Sequence, residues 1–430
     1  MIFMHIFSSL CVRTLTNRAH AIGDELAALF LLANVCLMVM PAAVRADETT
    51  GTARIELLHL WRTPGEQAAL HVFRDALSDP SMAWFDTPVQ GGATGVRKQL
   101  SDLLAAEAQP NIIQWIPSEE LNQLFDLGVF RTVDTVDEDF ADKLLPEIRE
   151  VAETDGVLRV LPVGIHTYDF MAYNRQLFER LGIELPTSWE SYLALGPLLA
   201  ESGVPLLSVS DENWQLTAMY RTLMISEFSK EEVLSMARGE ADLETYRNRF
   251  ETTFEILFEL RRFAAPDRED LRWEETVARV ERGEALSILL GDYIVAAFDD
   301  PDKLICARSP QSSYIPWGFD SFVFTHVDDP VLLQGQTRFA KAASDIDNIV
   351  NYVMHKGGLP VISGVTPDQL DRCNADTLVA WQKRPLLWEG LLQGKNRIMA
   401  MNAVIVTIWR DETITPAQAA ERVIDAMSRP

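Results

Sequence analysis

The chain has 430 residues, of which 47% are hydrophobic and 23% are charged, and its formal net charge is −25. This length suffices for two domains of ordinary size. The strong negative charge argues against nucleic acid and anionic membrane surfaces as partners and fits a neutral ligand.

The first 46 residues indicate a secretory signal peptide. Arg13 lies in a positively charged segment, the apolar stretch Leu26–Met40 follows, and Ala46 ends a small-residue cleavage site. A membrane anchor is the alternative. The apolar stretch is shorter than the roughly 20 residues that a spanning helix needs, and Pro41 ends it. We therefore predict export to the periplasm, with cleavage after about Ala46.

Beyond residue 50, short apolar runs alternate with longer helical ones. The predicted strands are Arg54–Trp61, Trp84–Val89, Asn111–Trp115, Leu158–Val163, Asp169–Tyr173, Val204–Val209, Ala285–Leu290 and Phe319–Phe324. The predicted helices are Gly65–Leu77, Thr94–Glu107, Ser118–Leu127, a mainly helical stretch over 214–281, Ser344–Met354 and a last helix from Thr415-Pro416 to Met427. This alternation predicts parallel sheets with helices on their faces, and such sheets bind ligands beyond the carboxyl ends of their strands.

Aromatic, amide and charged residues stand at the predicted loop mouths. They are Trp61, Gln114, His166, Trp214, Tyr293, Asp320 and Lys356. A sugar needs this combination, because its C–H faces stack on aromatic rings and its hydroxyls bond to carboxylates, amides and ammonium groups. Each residue also has an ordinary alternative role, since tryptophans often lie in cores and aspartates and lysines are usually solvated. The sequence thus makes these residues candidates for a sugar site.

Trp61 and Glu66 flank the break between the first strand and its helix. We expect Trp61 to stack on a sugar ring and Glu66 to accept sugar hydroxyls while the helix N-terminus stabilises its charge. The alternative is that Trp61 packs at an interface between lobes and Glu66 only caps the helix.

Sequence motifs of catalysis and metal binding are missing. The chain has no Gly-x-Ser-x-Gly, no phosphate-binding glycine loop and no His-Glu-x-x-His, and its seven histidines lack zinc-ligand spacing. We therefore predict a protein without catalytic residues, metal or cofactor.

Two cysteines remain after the predicted signal peptide is removed. One pair in an exported chain, Cys306 and Cys373, indicates a disulfide that closes a loop of about 67 residues. Two free buried thiols are the alternative.

Five segments occur in an order that resembles a known family. They are HLWRTPGE, PVGIHTYDFMAYN, GEALSILLGDY, GFDSFVF and KGGLPV. The chain is similar to the extracellular solute-binding proteins that serve carbohydrate ABC importers, and within that family it most resembles the glucose/mannose-type branch. The similarity covers nearly all of the chain from Ile55 to the last helix.

The resemblance implies ligand-binding roles for residues at matching positions. They are Trp61, Glu66, Gln114, His166, Asp320 and Lys356. Tyr293 stands where the branch has a tryptophan, and Gln393 stands where it has a histidine. The branch also carries cysteines where Cys306 and Cys373 stand, which supports the disulfide.

Some pocket positions depart from the branch. Leu60 replaces the first tryptophan of the opening segment, and Glu119 stands where a pocket lysine is common. With Tyr293 and Gln393, these departures make a sugar the expected ligand while leaving its identity open.

The resemblance implies a two-lobed α/β periplasmic-binding-protein fold. Each lobe would be a mainly parallel sheet flanked by helices, and the lobes would close by hinge motion on a ligand in the cleft between them. We expect an N-terminal lobe of 47–160 plus 320–370 and a C-terminal lobe of 161–319 plus 371–430.

The expected function is that of a monomeric, non-enzymatic sugar-binding subunit of an ABC importer. Its ligand would be a monosaccharide such as glucose, and its partners would be the permease subunits in the membrane. Two alternatives stay open: a sugar-sensing protein that reports to a membrane receptor, and a secreted carbohydrate-active enzyme.

Overall fold

The computed structural model describes residues 53–118, 120–137, 139–392 and 397–429. The predicted signal peptide (1–46), Glu119 and Gln393 lie outside the described residues.

Twelve strands lie in the described part of the chain, in two larger sheets and one hairpin. They are β1 (Ala53–His59), β2 (Met82–Pro88), β3 (Ile112–Trp115), β4 (Phe130–Arg131), β5 (Glu153–Thr154), β6 (Val157–Leu158), β7 (Leu161–Thr167), β8 (Phe170–Asn174), β9 (Ser287–Leu290), β10 (Leu304–Arg308), β11 (Ile315–Thr325) and β12 (Leu386–Trp388).

The α-helices of the same described residues cover the sheets. They are α1 (Pro64–Ala76), α2 (Gly92–Ala105), α3 (Glu120–Asp126), α4 (Phe140–Lys143), α5 (Pro146–Ala152), α6 (Arg175–Leu181), α7 (Trp189–Leu193), α8 (Leu195–Glu201), α9 (Asn213–Glu227), α10 (Lys230–Arg238), α11 (Arg247–Phe263), α12 (Trp273–Glu281), α13 (Pro330–Ser344), α14 (Ile346–Lys356), α15 (Arg372–Trp381), α16 (Arg397–Arg410) and α17 (Pro416–Ser428).

The larger sheet has seven strands and mixed directions. Its main path runs β12-β11-β3-β1-β2, and β4 and β7 also pair with β11. Strand β1 is parallel to β2 and β3, as the alternating pattern predicts. Strand β11 is antiparallel to both β3 and β7 and connects these two strands within the sheet. The α/β fold class is therefore confirmed, with a mixed large sheet.

The smaller sheet corrects the expectation of mainly parallel strands in each lobe. Its order is β10-β8-β9, and both pairings are antiparallel. A long, mainly helical segment separates β8 from β9, so the alternation of strands and helices does not fix their relative direction. The predicted strand Val204–Val209 is also wrong, because only Leu207 of this segment forms bridges, to Ala264 and to Ser287.

Helix starts follow the capping chemistry of the sequence. Thr415 and Gln418 form a capping box at α17, where Pro416 occupies the first turn, so the predicted start of the last helix is confirmed. Helix α13 was not predicted. Asp345 follows the last residue of α13 and caps α14 by accepting a hydrogen bond from the Asn348 amide. The sequence pattern predicted α14 but not α13.

The buried apolar residues form three clusters. One surrounds the large sheet and takes residues from both 55–165 and 317–381. A second joins helices of 171–264 to those of 398–427, and a third lies under the short sheet and includes Val277 and Cys373. The two-lobed division stays a prediction. Strand β7, which the prediction assigns to the C-terminal lobe, pairs with β11 in the large sheet.

Candidate functional site

The first turn of α1 fixes the carboxylate of Glu66. Thr63 caps the helix, and its Oγ1 accepts a hydrogen bond from the Glu66 amide at 3.2 Å. The Oε2 of Glu66 accepts from the amides of Arg62 and Thr63, at 2.8 and 3.0 Å. This capping box and the helix dipole favour a charged carboxylate here. The other oxygen, Oε1, lies 3.7 Å from Nζ of Lys356, so capping leaves part of the group for a second partner.

Trp61 is fully buried, with 0% of its surface exposed. Its ring packs against Phe322 and Tyr352 at centroid distances of 5.7 Å. Its amide donates to Nδ1 of His59 at 3.2 Å, and burial lowers the pKa of His59. The indole Nε1 has no hydrogen-bond partner. In this structure the ring belongs to the core, and its stacking on a sugar stays a prediction.

Asp320 on β11 is the centre of a buried polar cluster. Its Oδ1 accepts a hydrogen bond from Nε2 of Gln114 at 3.1 Å. Its Oδ2 accepts from the hydroxyl of Tyr352 at 2.8 Å and lies 3.0 Å from Nε2 of His166. Lys356 adds a positive charge 3.9 Å away. All five of these side chains are buried, with at most 4% of their surface exposed, so the cluster is held in a water-poor environment.

His166 connects Asp320 to a second buried carboxylate. Its Nδ1 lies 2.9 Å from Oδ1 of Asp292, which begins the turn 292–297 two residues after the small-sheet strand β9. Asp292 also accepts hydrogen bonds from the amide and the hydroxyl of Thr167, at 2.9 and 2.7 Å. The imidazole therefore joins the large sheet to the edge of the small one.

Opposing effects set the charges of the His166–Asp320 pair. Burial and the charge of Lys356 lower the pKa of His166, but Asp320 and Asp292 outweigh them, so its pKa is raised. Burial raises the pKa of Asp320, but His166, Lys356 and the Tyr352 hydroxyl outweigh it, and the pKa of Asp320 is lowered. Both shifts favour an imidazolium between carboxylates.

The network continues beyond Thr167. The Nη1 of Arg308 donates to Oγ1 of Thr167 at 2.9 Å and to Oδ1 of Asp169 at 2.6 Å. Asp169, itself fully buried, also accepts a hydrogen bond from Ser312 at 2.6 Å. Polar groups thus connect continuously from Asp169, near the small sheet, to Asp320 on the large one.

Aromatic rings flank one side of the cluster. The ring of Tyr293 meets His166 edge-on at 5.7 Å, and Nζ of Lys356 lies 5.4 Å from the centre of the Tyr293 ring. Trp273 meets Tyr293 at 6.0 Å, and Trp214, which is 40% exposed, meets Trp273 at 6.4 Å. An apolar rim beside buried donors and acceptors is the arrangement that sugar recognition needs.

Helix α1 packs closely against the turn 292–297 at a glycine. Gly65 lies in the first turn of α1, and a Cβ at this position would overlap the carbonyl oxygen of Ala296 in the turn 292–297. A side chain of any size here is excluded unless that turn moves.

The structure brings most of the predicted site residues together. The cluster contains Glu66, Gln114, His166, Tyr293, Asp320 and Lys356. Trp61 reaches it only through Tyr352, and Trp214 only through Trp273. Gln393 lies outside the described residues. The ligand-binding role of each residue remains a prediction.

The sequence analysis missed three residues of the polar cluster and its aromatic flank. They are Asp292, Tyr352 and Trp273. Asp292 had a usable signal, because it stands two residues after the end of a buried strand. Tyr352 and Trp273 lie within helices, where helical spacing does not distinguish a site residue from a core residue.

The predicted disulfide is confirmed. It joins Cys306 on β10 to Cys373 on α15, with Cα atoms 5.6 Å apart. Within the described residues, no group of three or more His, Cys, Asp or Glu side chains could hold a metal ion. A search of the same residues also finds no helix with the length and apolar character to cross a membrane.

A mixed sheet and an antiparallel sheet that meet at a buried polar cluster, with aromatic rings beside it, have the architecture of an α/β solute-binding protein. The family model of the bacterial extracellular solute-binding proteins matches residues 87–308, which is 222 of the 430 residues. The chain belongs to this family, as its motifs suggested.

Several known proteins share this similarity over most of their length. A probable sugar-binding periplasmic protein of Brucella melitensis biotype 1 is 24% identical over 403 residues, covering 90% of this chain and 93% of that protein. Another of Rhizobium meliloti is 24% identical over 349 residues, covering 78% and 82%.

Solved structures show the same fold. A chitin oligosaccharide binding protein has a TM-score of 0.73 at 17% identity, covering 88% of this chain and 98% of that one. The solute-binding protein RafE in complex with raffinose has a TM-score of 0.71 at 14% identity, covering 87% and 99%.

Proposed function

We propose that this protein is the periplasmic sugar-binding subunit of an ABC importer. One observation carries the proposal: the buried cluster of His166, Asp292, Asp320 and Lys356 lies beside an aromatic row that starts at Tyr293. The names of the relatives from Brucella melitensis and Rhizobium meliloti support it, because both are probable sugar-binding periplasmic proteins.

The cluster has the chemistry to bind one sugar ring. Carboxylates accept hydrogen bonds from hydroxyls, while the ammonium group of Lys356 and the amide of Gln114 donate them. The Oε1 of Gln114 is buried without a hydrogen-bond partner, although its Nε2 is bonded to Asp320. A ligand hydroxyl would satisfy this oxygen, and an epimer that fails to reach it would lose about 1–3 kcal/mol. Glucose, which the sequence resemblance implies, is the first ligand to test.

Binding would involve movement between two lobes, divided after β7. In the absence of ligand, groups from the two sheets satisfy each other across the junction, as His166 does with Asp292. A sugar would exchange these bonds for bonds to its hydroxyls. The loaded form would then be presented to permease subunits, after export and removal of residues 1–46. No bond of the sugar is broken in this proposal, so chromogenic glycosides should show no turnover.

A thermal-shift screen of the chain from Asp47 onward tests the proposal. Neutral, amino and acidic monosaccharides and short oligosaccharides are added at increasing concentration. A ligand that binds only the folded state stabilises it by about 2.7 kcal/mol at one hundred times its Kd, so the melting temperature must rise with concentration. Phe85→Ala is a matched control variant, because Phe85 is an exposed aromatic on β2. No shift with any saccharide would contradict the proposal.

Transport is tested separately. Cells that lack the gene should lose uptake of the labelled sugar that the screen identifies and regain it with the gene restored. Normal uptake together with loss of a sugar-dependent signalling response would instead support a sensory role.

A further inference from the structure

We infer that the ligand is longer than one sugar ring, and that Trp214 and Trp273 bind its outer unit. The inference rests on the proposed sugar-binding function and adds an outer subsite to the cluster around His166.

The two tryptophans continue the aromatic row away from the polar cluster. Successive ring centroids lie 5.7 Å apart from His166 to Tyr293, 6.0 Å apart from Tyr293 to Trp273 and 6.4 Å apart from Trp273 to Trp214. All three contacts are edge-to-face. The row is therefore a continuous ring surface built from four separate segments of the chain.

Exposure increases along this row. His166 is 4% exposed, Tyr293 and Trp273 are partly buried, and Trp214 is 40% exposed. An exposed indole leaves a large apolar area in water, and the free energy of binding gains when a ligand covers it. A ligand confined to the buried cluster would leave Trp214 uncovered. A second sugar unit attached to the first would extend along the row toward it.

Each tryptophan is followed in sequence by a side chain with an unpartnered polar atom. Nε2 of Gln215 and Oε2 of Glu274 are both buried without a hydrogen bond. Gln215 is 0% exposed, and its Oε1 accepts from the amide of Ser210 at 3.0 Å, which places the amide group at the turn before α9. One atom is a donor and the other an acceptor. Both residues stand in the first turns of the helices that carry the tryptophans, so a ligand hydroxyl that reaches them would find one donor and one acceptor without a partner.

A single carboxylate ties together the segments that carry the tryptophans. The Oε2 of Glu212 accepts a hydrogen bond from the Trp273 amide at 2.8 Å and another from Oγ of Ser210 at 3.3 Å. The first turns of α9 and α12 are therefore held in one arrangement before a ligand arrives. Such preorganisation lowers the entropy lost on binding.

Calorimetric titration of the purified chain from Asp47 onward tests the inference. The probes are glucose, N-acetylglucosamine and xylose, each with its β-1,4-linked oligomers of two to four units, and glucose also with its α-1,4-linked oligomers. The variants are Trp214→Ala, Trp273→Ala and the control Phe85→Ala. Phe85 is 50% exposed on β2 and has no contact with the aromatic row.

We expect the wild type to bind one oligomer series at least about tenfold more tightly than its monosaccharide, since one covered indole contributes on this order. Trp214→Ala should remove about tenfold of the oligomer affinity and leave the monosaccharide Kd within about twofold. Trp273→Ala should act in the same direction, and Phe85→Ala should change neither Kd. If Trp273→Ala unfolds, as its melting temperature would show, the Trp214→Ala series alone decides.

Two results would overturn the inference, and they differ from each other. If the protein binds a monosaccharide, and neither a longer oligomer nor Trp214→Ala changes the Kd, the outer subsite is refuted and the proposed function stands. If the protein binds no saccharide, the proposed function and the outer subsite are both refuted.

Discussion

His166 and Asp292 form a hydrogen bond of 2.9 Å between the two sheets of the molecule. His166 is on β7 of the large sheet, and Asp292 lies two residues after the end of β9 of the small one. The other imidazole nitrogen faces Asp320, and Lys356 and Glu66 complete the charges around them. The two sheets are thus held together by buried groups to which the proposed function assigns ligand binding.

This arrangement predicts a dependence of stability on pH. The pKa of His166 is raised from its ordinary value of 6.5, so its stabilisation is complete below 6.5 and is lost as the pH rises through the native pKa. The pKa of Asp320 is lowered from 3.8, so its stabilisation is complete above 3.8 and is lost as the pH falls through the native pKa. Melting temperatures should therefore be highest between pH 3.8 and 6.5 and should decline as the pH rises through the native pKa of His166.

The variant His166→Gln should flatten the decline on the alkaline side. Glutamine keeps a donor near Asp320 but carries no proton that titrates in this range. His71, another histidine of the described chain, provides the control as His71→Gln. An equal alkaline decline in wild type and His166→Gln would contradict the assignment.

Removal of the buried ammonium group should destabilise the fold. Lys356 is 4% exposed and is the cation near both Glu66 and Asp320. Lys356→Met leaves these carboxylates without its charge, and loss of one partner of a buried ion pair costs about 3–5 kcal/mol. Urea unfolding measures this loss. The double variant Lys356→Met, Glu66→Gln should recover part of it, and a double variant less stable than the single one would count against the ion pair.

Trp61 offers a direct comparison between core and ligand roles. The complete burial of its ring predicts that Trp61→Ala lowers the free energy of unfolding by about 3–5 kcal/mol. The sequence instead suggested a ligand platform, for which affinity would fall at unchanged stability. Unfolding and sugar titration of the same variant separate the two, and Trp61→Phe, which keeps most of the packing, should retain more stability than Trp61→Ala.

The disulfide should contribute substantially to stability. Cys306 and Cys373 are 67 residues apart, and closing such a loop stabilises the fold by about 4 kcal/mol in the chain-entropy model. The variant Cys306→Ser, Cys373→Ser should unfold at correspondingly lower urea concentration than the oxidised wild type. Reduction of the wild type under non-denaturing conditions should lower its unfolding midpoint in the same way, whereas the double variant should not respond to the reductant.

Local chemistry made part of this structure predictable. The run of β1 to β3 with its helices follows from apolar periodicity, and the start of α17 follows from its capping box. The disulfide follows from a count of two cysteines. These features depend on neighbouring residues or on composition, which a single sequence displays.

Long-range pairing was not predictable in the same way. His166 and Asp292 are 126 residues apart, and nothing near either residue specifies the other. The central position of β11 depends on three antiparallel pairings with distant strands. The burial of Trp61 depends on Phe322 and Tyr352, which pack against it from β11 and α14. A strand-end tryptophan can point into a core or into a cleft, and the sequence around it is the same in both cases.

The missing side chain at Gly65 sets how near the first helix can come to the turn 292–297. One added methyl group, in Gly65→Ala, would therefore push α1 away from this turn. It would leave every side chain of the polar cluster in place. In the proposed closing motion, this variant would hinder closure while the groups that recognise the sugar keep their chemistry. A fluorophore pair on α1 and on the turn 292–297 would report the distance between these two elements at each sugar concentration.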